Sequence, residues 1–550
     1  MMSAWKGADT SYLHNIQHAC RQHPSLKLLK ALPVVPEQSC RIKVLEFTSD
    51  AMINDVDIDK LPQLDAFWST VPSAPSARQG RLYLVENISL PWISALGNHF
   101  NIDPRFFAEY LKLDLDRTQN MLGGYHTMRH LPSLRSTATF STFVYHEIRT
   151  FEGVAPRREE YQILTKDNVA RLVTTVDHHS GRLTGLIRRT IGLWWQPSET
   201  NNSWDAIILV DPGVSDMFHI RRWTAGESSP WQTTSCQNTP YLDGYLDFSP
   251  WPPPKEQSSS PTDCVSYANI LDDISYYWHH ASPSEIQAAL HDVRDAFLFP
   301  YRIMASHWNL QLEYLVSVVS NLEKGMLQFE QMDVHPRAEK ITAEVGTLRV
   351  LLSDVNGWRR RVYFYLEQMR WNIENLNLPA SSSSLFGTNA GDDSSLSSES
   401  IGDLRNLDGI DGVRRARGIG GPTAASLTLS DLYPILSSLR LSQELIQSLL
   451  PVVMGAFSLL EAQHSVIKAD LTIRLSSVGL IFVPLSFTAS VLSMSGDFLP
   501  GEKLFWVYWA INVPLIIGLF WWAYWVQVGR VKRAGIKAWK ETIGKASVVE

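Results

Sequence analysis

Two long uncharged stretches near the C-terminal end constrain this sequence most. Residues 475–495 contain 21 residues without a charge, and residues 504–526 contain 23. At about 1.5 Å of rise per residue, a helix of either length can span the ~30 Å hydrocarbon layer of a bilayer. The second stretch has Trp and Tyr at both ends, which is typical of helices that end at the two membrane interfaces. The sequence therefore predicts two transmembrane helices, over 475–495 and 504–526.

The charges that flank these stretches predict their orientation. The connecting loop, 496–503, carries Asp497 and Glu502 against one lysine. The residues before the first span and the tail after the second, 527–550, are rich in Lys and Arg. By the positive-inside rule, both termini face the cytoplasm and the short loop faces out. The part of the chain in front of the spans is therefore predicted to be cytoplasmic.

Residues 1–280 are predicted to form an α/β domain with a mixed sheet. Runs typical of strands recur at 81–88, 139–148, 170–178, 184–195 and 204–211. Residues 91–111 have helical apolar spacing in two pieces, broken near Asp103-Pro104. His179-Ser180-Gly181 is the expected tip of a hairpin, and the Pro- and Ser-rich stretch 212–262 is expected to be an irregular connection.

Long helices are predicted after this domain. In the region 284–375, apolar residues recur every three or four positions from Ile341 to Met369. The same pattern fills a stalk helix, 427–474, which runs into the first span without a turn signal, and Pro451 predicts a kink or a break in it. The Ser- and Gly-rich segment 379–425 between them is predicted to be a disordered linker, because it has too little apolar surface to bury. The expected fold is thus an α/β N-terminal cytoplasmic domain, long α-helices and a C-terminal two-helix transmembrane hairpin.

This layout resembles the CorA-like metal-ion transporter superfamily. The stretches RLYLVENI and ALGNHFNIDPRFF, within 81–107, are similar to the soluble domain of fungal members, and LIFVPLSFTAS, 480–490, resembles the apolar run of the family's first span. Ser493-Met494-Ser495 stands where the family has Gly-Met-Asn at the outer end of that span. The resemblance implies a homopentamer in a lipid membrane, with the first span lining a pore for metal ions.

The resemblance also implies that Ser493, Met494 and Ser495 form the entrance of the pore. In the family, a ring of Asn side chains contacts the hydrated cation, which suits magnesium because this ion dehydrates reluctantly. Here Ser495 offers a hydroxyl in place of the amide, and Ser493 replaces a glycine. Magnesium is therefore one candidate among divalent cations, and the family's selectivity does not carry over.

A stripe of small residues is expected to line the rest of the pore. Five residues of the first span lie three or four positions apart, and so on one helix face: Ser476, Gly479, Val483, Ser486 and Ser490. Small residues also let helices pack closely in lipid, and both roles remain open. Asp497 and Glu502 either attract cations to the outer mouth or are solvated loop charges.

The predicted function is accordingly a divalent-cation channel or transporter, and the alternative is a non-conducting CorA-like membrane scaffold or sensor. The sequence has no phosphate-binding or hydrolase motif, so neither an enzyme nor a cofactor other than the transported ion is expected. A net charge of −7 argues against nucleic acid as a partner. A plasma or vacuolar membrane is favoured over the inner mitochondrial one, because the first 30 residues lack an Arg-rich transit pattern.

Overall fold

The computed structural model forms two units, one of Met1–Gly325 with Val355–Leu449 and one of Met326–Asp354 with Leu450–Glu550. Apart from a few single residues between 12 and 29, the structure describes residues 39–70, 79–111, 139–152, 161–177, 183–197, 203–222, 230–248, 269–330, 338–377, 423–492, 506–518 and 521.

One mixed sheet organises the first unit, and eleven strands belong to it among the described residues. The strands are β1 Arg41–Phe47, β2 Ile53–Ile58, β3 Gln79–Glu86, β4 Phe140–Phe151, β5 Tyr161–Thr165, β6 Leu172–Asp177, β7 Leu183–Pro197, β8 Ser203–Val210, β9 Met217–Arg222, β10 Gln232–Ser235 and β11 Asn238–Pro240. The main path runs β10-β9-β5-β6-β7-β8-β3-β1-β2, and β4 pairs with β7 and β11. β3 and β8 are parallel, whereas the other pairs are antiparallel. The predicted α/β domain with a mixed sheet is confirmed.

The centre of the sheet consists of strands that are apolar on both faces. β8, of sequence SWDAIILV, buries every residue after Asp205, and its neighbour β3 buries every residue from Leu82 to Glu86. Such continuous apolar runs are expected where both faces of a strand are covered. β7 joins the two halves of the sheet, because it pairs with β4 along its length and with β6 and then β8 on its other edge.

Short helices cover part of the sheet: α1 Leu61–Thr70, α2 Leu90–His99 and α3 Pro104–Tyr110. The predicted break between α2 and α3 is confirmed. The carboxylate of Asp103 accepts a hydrogen bond of 2.9 Å from the backbone N–H of Arg105, and Pro104 occupies the first helical position. Both features are typical of a helix start, and they place Phe106 and Phe107 in the core.

Long helices follow, as predicted. The described helices after the sheet are α4 Ile270–His279, α5 Pro283–His291, α6 Leu298–Glu330, α7 Ala338–Leu376, α8 Ala424–Leu492 and α9 Trp506–Gly518. The three- and four-residue spacing in α7 buries one stripe, which includes Val355, Val362 and Met369. α8 continues through Pro451, so the break considered there does not occur.

Side-chain amides fix α7 to the sheet. Asn372 is fully buried, and its amide both donates to the backbone carbonyl of Val144 at 2.7 Å and accepts from its N–H at 3.0 Å. Asn375 donates to the carbonyl of Thr142 at 2.6 Å, and the indole of Trp308 donates to Val144. These side chains bond backbone groups of β4 in the way that a neighbouring strand would. The bonds matter because a buried backbone N–H or C=O without a partner is costly.

Some expectations for the N-terminal domain were wrong or incomplete. The stretch 212–262 is not an irregular connection throughout, because it contains β9, β10 and β11. β1, β2 and β5 had no predicted counterpart. The hairpin tip at 179–181 lies outside the described residues, as does the predicted linker up to residue 422, whereas Ala424 already begins α8.

Candidate functional site: the C-terminal helices

The five predicted pore-lining residues lie on the last turns of α8. Since an α-helix has 3.6 residues per turn, Ser476, Gly479, Val483, Ser486 and Ser490 fall within an arc of about 80°. All are exposed except Gly479, which is half-buried and where an added Cβ would meet no atom within 4 Å. The stripe is therefore an open face of α8 in the single chain.

The other side of α8 is bonded to α9. The hydroxyl of Thr488 donates to the side-chain oxygen of Asn512 at 2.7 Å, and Asn512 is fully buried. The amide of Asn512 in turn donates to the carbonyl of Tyr508 at 2.9 Å. At 100° per residue, Thr488 lies about 160° around the helix from the middle of the predicted stripe. The stripe therefore points away from the helix that packs on α8.

The hydroxyl proton of Ser486, on this face, is bonded within its own helix. The Oγ of Ser486 donates to the backbone carbonyl of Val483 at 3.0 Å. A hydroxyl has one proton and two lone pairs, so this bond uses the donor and leaves the oxygen able to accept. Oxygen acceptors are what a divalent cation or its bound water requires.

The stripe belongs to a longer pattern that the sequence analysis missed. Upstream of Ser476, positions separated alternately by three and four residues are again small and exposed. We call the whole row the small-residue seam, and it comprises Gly455, Ser458, Ala462, Ser465, Ala469, Thr472, Ser476, Gly479, Val483, Ser486 and Ser490. The alternation repeats every seven residues, so the spacing in the sequence upstream of the predicted span already carries the signal for it.

The upstream hydroxyls of the seam show the same bonding as Ser486. Ser458 donates to the carbonyl of Gly455 at 2.9 Å, Ser465 to that of Ala462 at 2.8 Å, and Thr472 to that of Lys468 at 2.8 Å. No member of the seam is charged, and Val483 alone is larger than threonine. From Gly455 to Ser490 the seam extends for about 50 Å along α8.

Large apolar side chains occupy much of the remaining surface of these helices. Leu475 and Phe487 on α8 are 76% and 68% exposed, and Trp506 and Ile517 on α9 are 64% and 60% exposed. So much contiguous apolar surface is unusual for a soluble monomer and marks a surface that lipid or another protein covers.

Length and composition alone single out another part of α8. Within the described residues, the segment Ala424–Val466 is the one long and apolar enough to cross a membrane, and it contains an 18-residue stretch with a mean hydropathy of 1.6. The described apolar helices inside the two predicted spans, Phe482–Leu492 and Trp506–Gly518, are shorter. The transmembrane hairpin and the cytoplasmic termini accordingly stay predictions.

The predicted entrance of the pore lies outside the described residues. This holds for Ser493, Met494 and Ser495 and for the acidic loop residues Asp497 and Glu502. In the described part of the chain, no three His, Cys, Asp or Glu side chains are grouped so that they could hold a metal ion.

A buried network of charges in the sheet of the first unit was not anticipated. The guanidinium of Arg171 donates to the carboxylate of Asp211 at 2.7–3.0 Å and to the carbonyl of Tyr110 at 3.0 Å. Asp211 also accepts from the hydroxyl of Tyr110 at 2.7 Å and from the N–H of Thr190 at 3.1 Å. Both charged side chains are almost completely buried, so each depends on the other for its compensation.

Two further carboxylates in this unit have opposite pKa shifts. Burial raises the pKa of Glu147, but Arg189 and Arg149 at 2.9 and 2.6 Å outweigh it and hold that pKa at about 2. Burial raises the pKa of Glu86 to about 7, because Arg41 at 3.4 Å compensates it less well. Glu147 is therefore ionised at neutral pH, whereas Glu86 titrates there.

No protein-family model matches the chain, and no curated protein does either. Among solved structures, the chain is similar to the CorA magnesium transporter from Methanocaldococcus jannaschii. The alignment covers 87% of this chain and 96% of that chain, at 9% sequence identity and a TM-score of 0.32. The function of the chain therefore has to be inferred from its own residues, above all those of α8 and α9.

Proposed function

We propose that the chain is a CorA-like membrane channel or transporter for divalent metal cations, with the C-terminal half of α8 lining the pathway. The observation that carries the proposal is the small-residue seam, which is uncharged, rich in hydroxyls, and directed away from α9. A face with these properties fits the inside of a narrow polar conduit better than contact with lipid tails, because hydroxyl acceptors replace part of an ion's hydration shell.

The seam requires several copies of α8 around an axis. A seven-residue repeat keeps one face of a helix on its neighbours and imposes a left-handed supercoil. Gly, Ala and Ser at the contact let the backbones approach closely. Five copies, as the sequence resemblance implies, would bring Ser458, Ser465, Thr472 and Ser486 into successive rings.

Uncharged hydroxyl rings favour a cation that keeps its water. Such rings offer oxygen acceptors without the strong field of carboxylates, and magnesium prefers to keep several waters. In this proposal Ser493, Met494 and Ser495 form the entrance collar, and Asp497 and Glu502 concentrate cations outside it. The hairpin crosses a plasma or vacuolar membrane through 475–495 and 504–526, with both termini in the cytoplasm.

The test is cation uptake into proteoliposomes that contain the purified chain and an ion-sensitive dye. We expect saturable, potential-dependent uptake of magnesium, with cobalt, nickel and sodium as comparisons. Ser486→Leu places a large apolar group in the conduit and should reduce flux at least tenfold without loss of assembly.

The matched control is Ala489→Leu. Ala489 lies in the same turns of α8, is exposed, and at 100° per residue lies about 100° around the helix from the middle of the predicted stripe. This variant should keep the wild-type flux. Absence of flux for every ion in a correctly assembled wild-type protein would refute the channel and favour the scaffold.

A further inference from the structure

The first unit contains an open groove between α7 and α8 that the transport proposal does not use. Its volume is about 400 Å³, which lies within the usual range for small-molecule sites. α7 contributes four of its lining residues and α8 two: Arg359, Arg360, Tyr363, Phe364, Gln443 and Gln447.

The groove has positive charge that its surroundings do not compensate. Arg359 and Arg360 are both exposed, and in the described part of the chain neither has an ion-pair or hydrogen-bond partner. By contrast, Arg370 on the same helix donates to the carboxylate of Glu367 at 2.7 Å. Two guanidinium groups beside one cavity are suited to a phosphate, because each planar fork can donate two parallel hydrogen bonds to phosphate oxygens.

The remaining lining residues suit a planar, partly polar group. The ring of Tyr363 is 59% exposed and Phe364 lies half-buried beside it, so the groove has aromatic surface open to a ligand. Gln443 and Gln447 are four residues apart and so lie on one face of α8. A Gln amide both donates and accepts, as the edge of a nucleobase does.

We propose that this groove binds a nucleoside polyphosphate, with Arg359 and Arg360 on the phosphates and the aromatic and amide side chains on the base. A phosphate group alone would contact only the two arginines, and a nucleobase alone would contact only the aromatic and amide side chains. Binding at this position does not depend on conduction, because all six lining residues belong to the first unit and none belongs to the small-residue seam.

The experiment is equilibrium binding of a fluorescent ATP analogue to the full-length protein in detergent, with unlabelled competitors. We expect saturable binding that ATP displaces, and that inorganic tripolyphosphate and adenosine displace at least tenfold less well. Because exposed charges are screened by salt, raising the NaCl concentration from 50 to 300 mM should weaken the binding.

Three variants locate the site. The double substitution Arg359→Gln with Arg360→Gln should weaken binding at least tenfold, since hydrogen bonds to charged groups are each worth about tenfold in affinity or more. Tyr363→Ala should weaken it severalfold, and Arg370→Gln, the matched arginine outside the groove, should leave it unchanged.

Three results would overturn the proposal. They are no saturable binding to the wild-type protein, displacement by tripolyphosphate as strong as by ATP, and wild-type affinity in the double variant. The first two come from the wild-type protein alone, so they decide the matter even if a variant fails to fold. None of the three concerns ion flux, so this site can fail while the proposed channel stands.

Discussion

Removing the buried guanidinium of Arg171 tests whether the charge network holds the sheet domain together. Arg171→Met keeps an unbranched apolar stem but removes the guanidinium, and with it the bonds to Asp211 and to the carbonyl of Tyr110. Asp211 then keeps two donors, the hydroxyl of Tyr110 and the N–H of Thr190. Its carboxylate nevertheless stays buried without an opposite charge.

The expected loss of stability follows from the bonds that Arg171→Met removes and from those that Asp211 keeps. Breaking a buried ion pair by removing one partner typically destabilises a protein by about 3–5 kcal/mol. The two surviving donors place Arg171→Met near the lower end, at about 3 kcal/mol. Urea unfolding of the full-length protein in detergent, followed by tryptophan fluorescence, measures this loss as a lower transition midpoint.

Two comparisons make the result specific. Arg370→Met removes an exposed arginine whose partner is Glu367, and it should change stability by less than about 0.5 kcal/mol. Arg171→Met combined with Asp211→Asn removes both buried charges and should recover part of the loss. The reasoning is refuted if Arg171→Met costs less than about 1 kcal/mol, or if the double variant is less stable than the single one.

Three further predictions concern other parts of the molecule. The fold raises the pKa of Glu86 from 4.5 to about 7, so the folded state holds this proton more tightly than the unfolded chain does. The free energy of unfolding therefore falls as the pH rises from about 4.5 to about 7. Thermal melts should therefore show Glu86→Gln more stable than wild type at pH 8, by up to about 3 kcal/mol, with the two converging at pH 5. Asn372→Ala should lower the free energy of unfolding by about 1–3 kcal/mol in urea titrations, because it leaves the buried N–H of Val144 unpaired, while the carbonyl of Val144 keeps the indole of Trp308; equal stability would contradict that role. Thr488→Val should weaken the contact between α8 and α9 by about 1 kcal/mol, and a Thr488→Val/Asn512→Val double-mutant cycle with no coupling would contradict the bond between them.

The parts of the fold that could be predicted are those with strong periodicity. β4, β7 and β8 were found because they are long strands rich in buried apolar residues, and α7 because one apolar stripe recurs along it. β10, of sequence QTTS, is short and largely exposed at the edge of the sheet, so burial imposes no apolar pattern on it.

The site was predictable only along a single helix. The spacing of Ser476 to Ser490 is a local pattern, so it can be read from the sequence. The bond between Thr488 and Asn512 joins two helices, and the pair of Arg171 and Asp211 lies 40 residues apart in the chain. No spacing rule relates such partners, because the chain fold alone brings them together.

The bonding of the seam hydroxyls has a consequence for how the protein is made. Ser458, Ser465, Thr472 and Ser486 each donate to a carbonyl of their own helix. In the proposed channel, Ser486 is the one of these four that lies inside the first span, and because its proton is already bonded within its helix, lipid can cover it before any second copy arrives. If the chain works as proposed, insertion into the bilayer and assembly into the oligomer can thus be separate events, with monomers diffusing in the membrane until their seams meet.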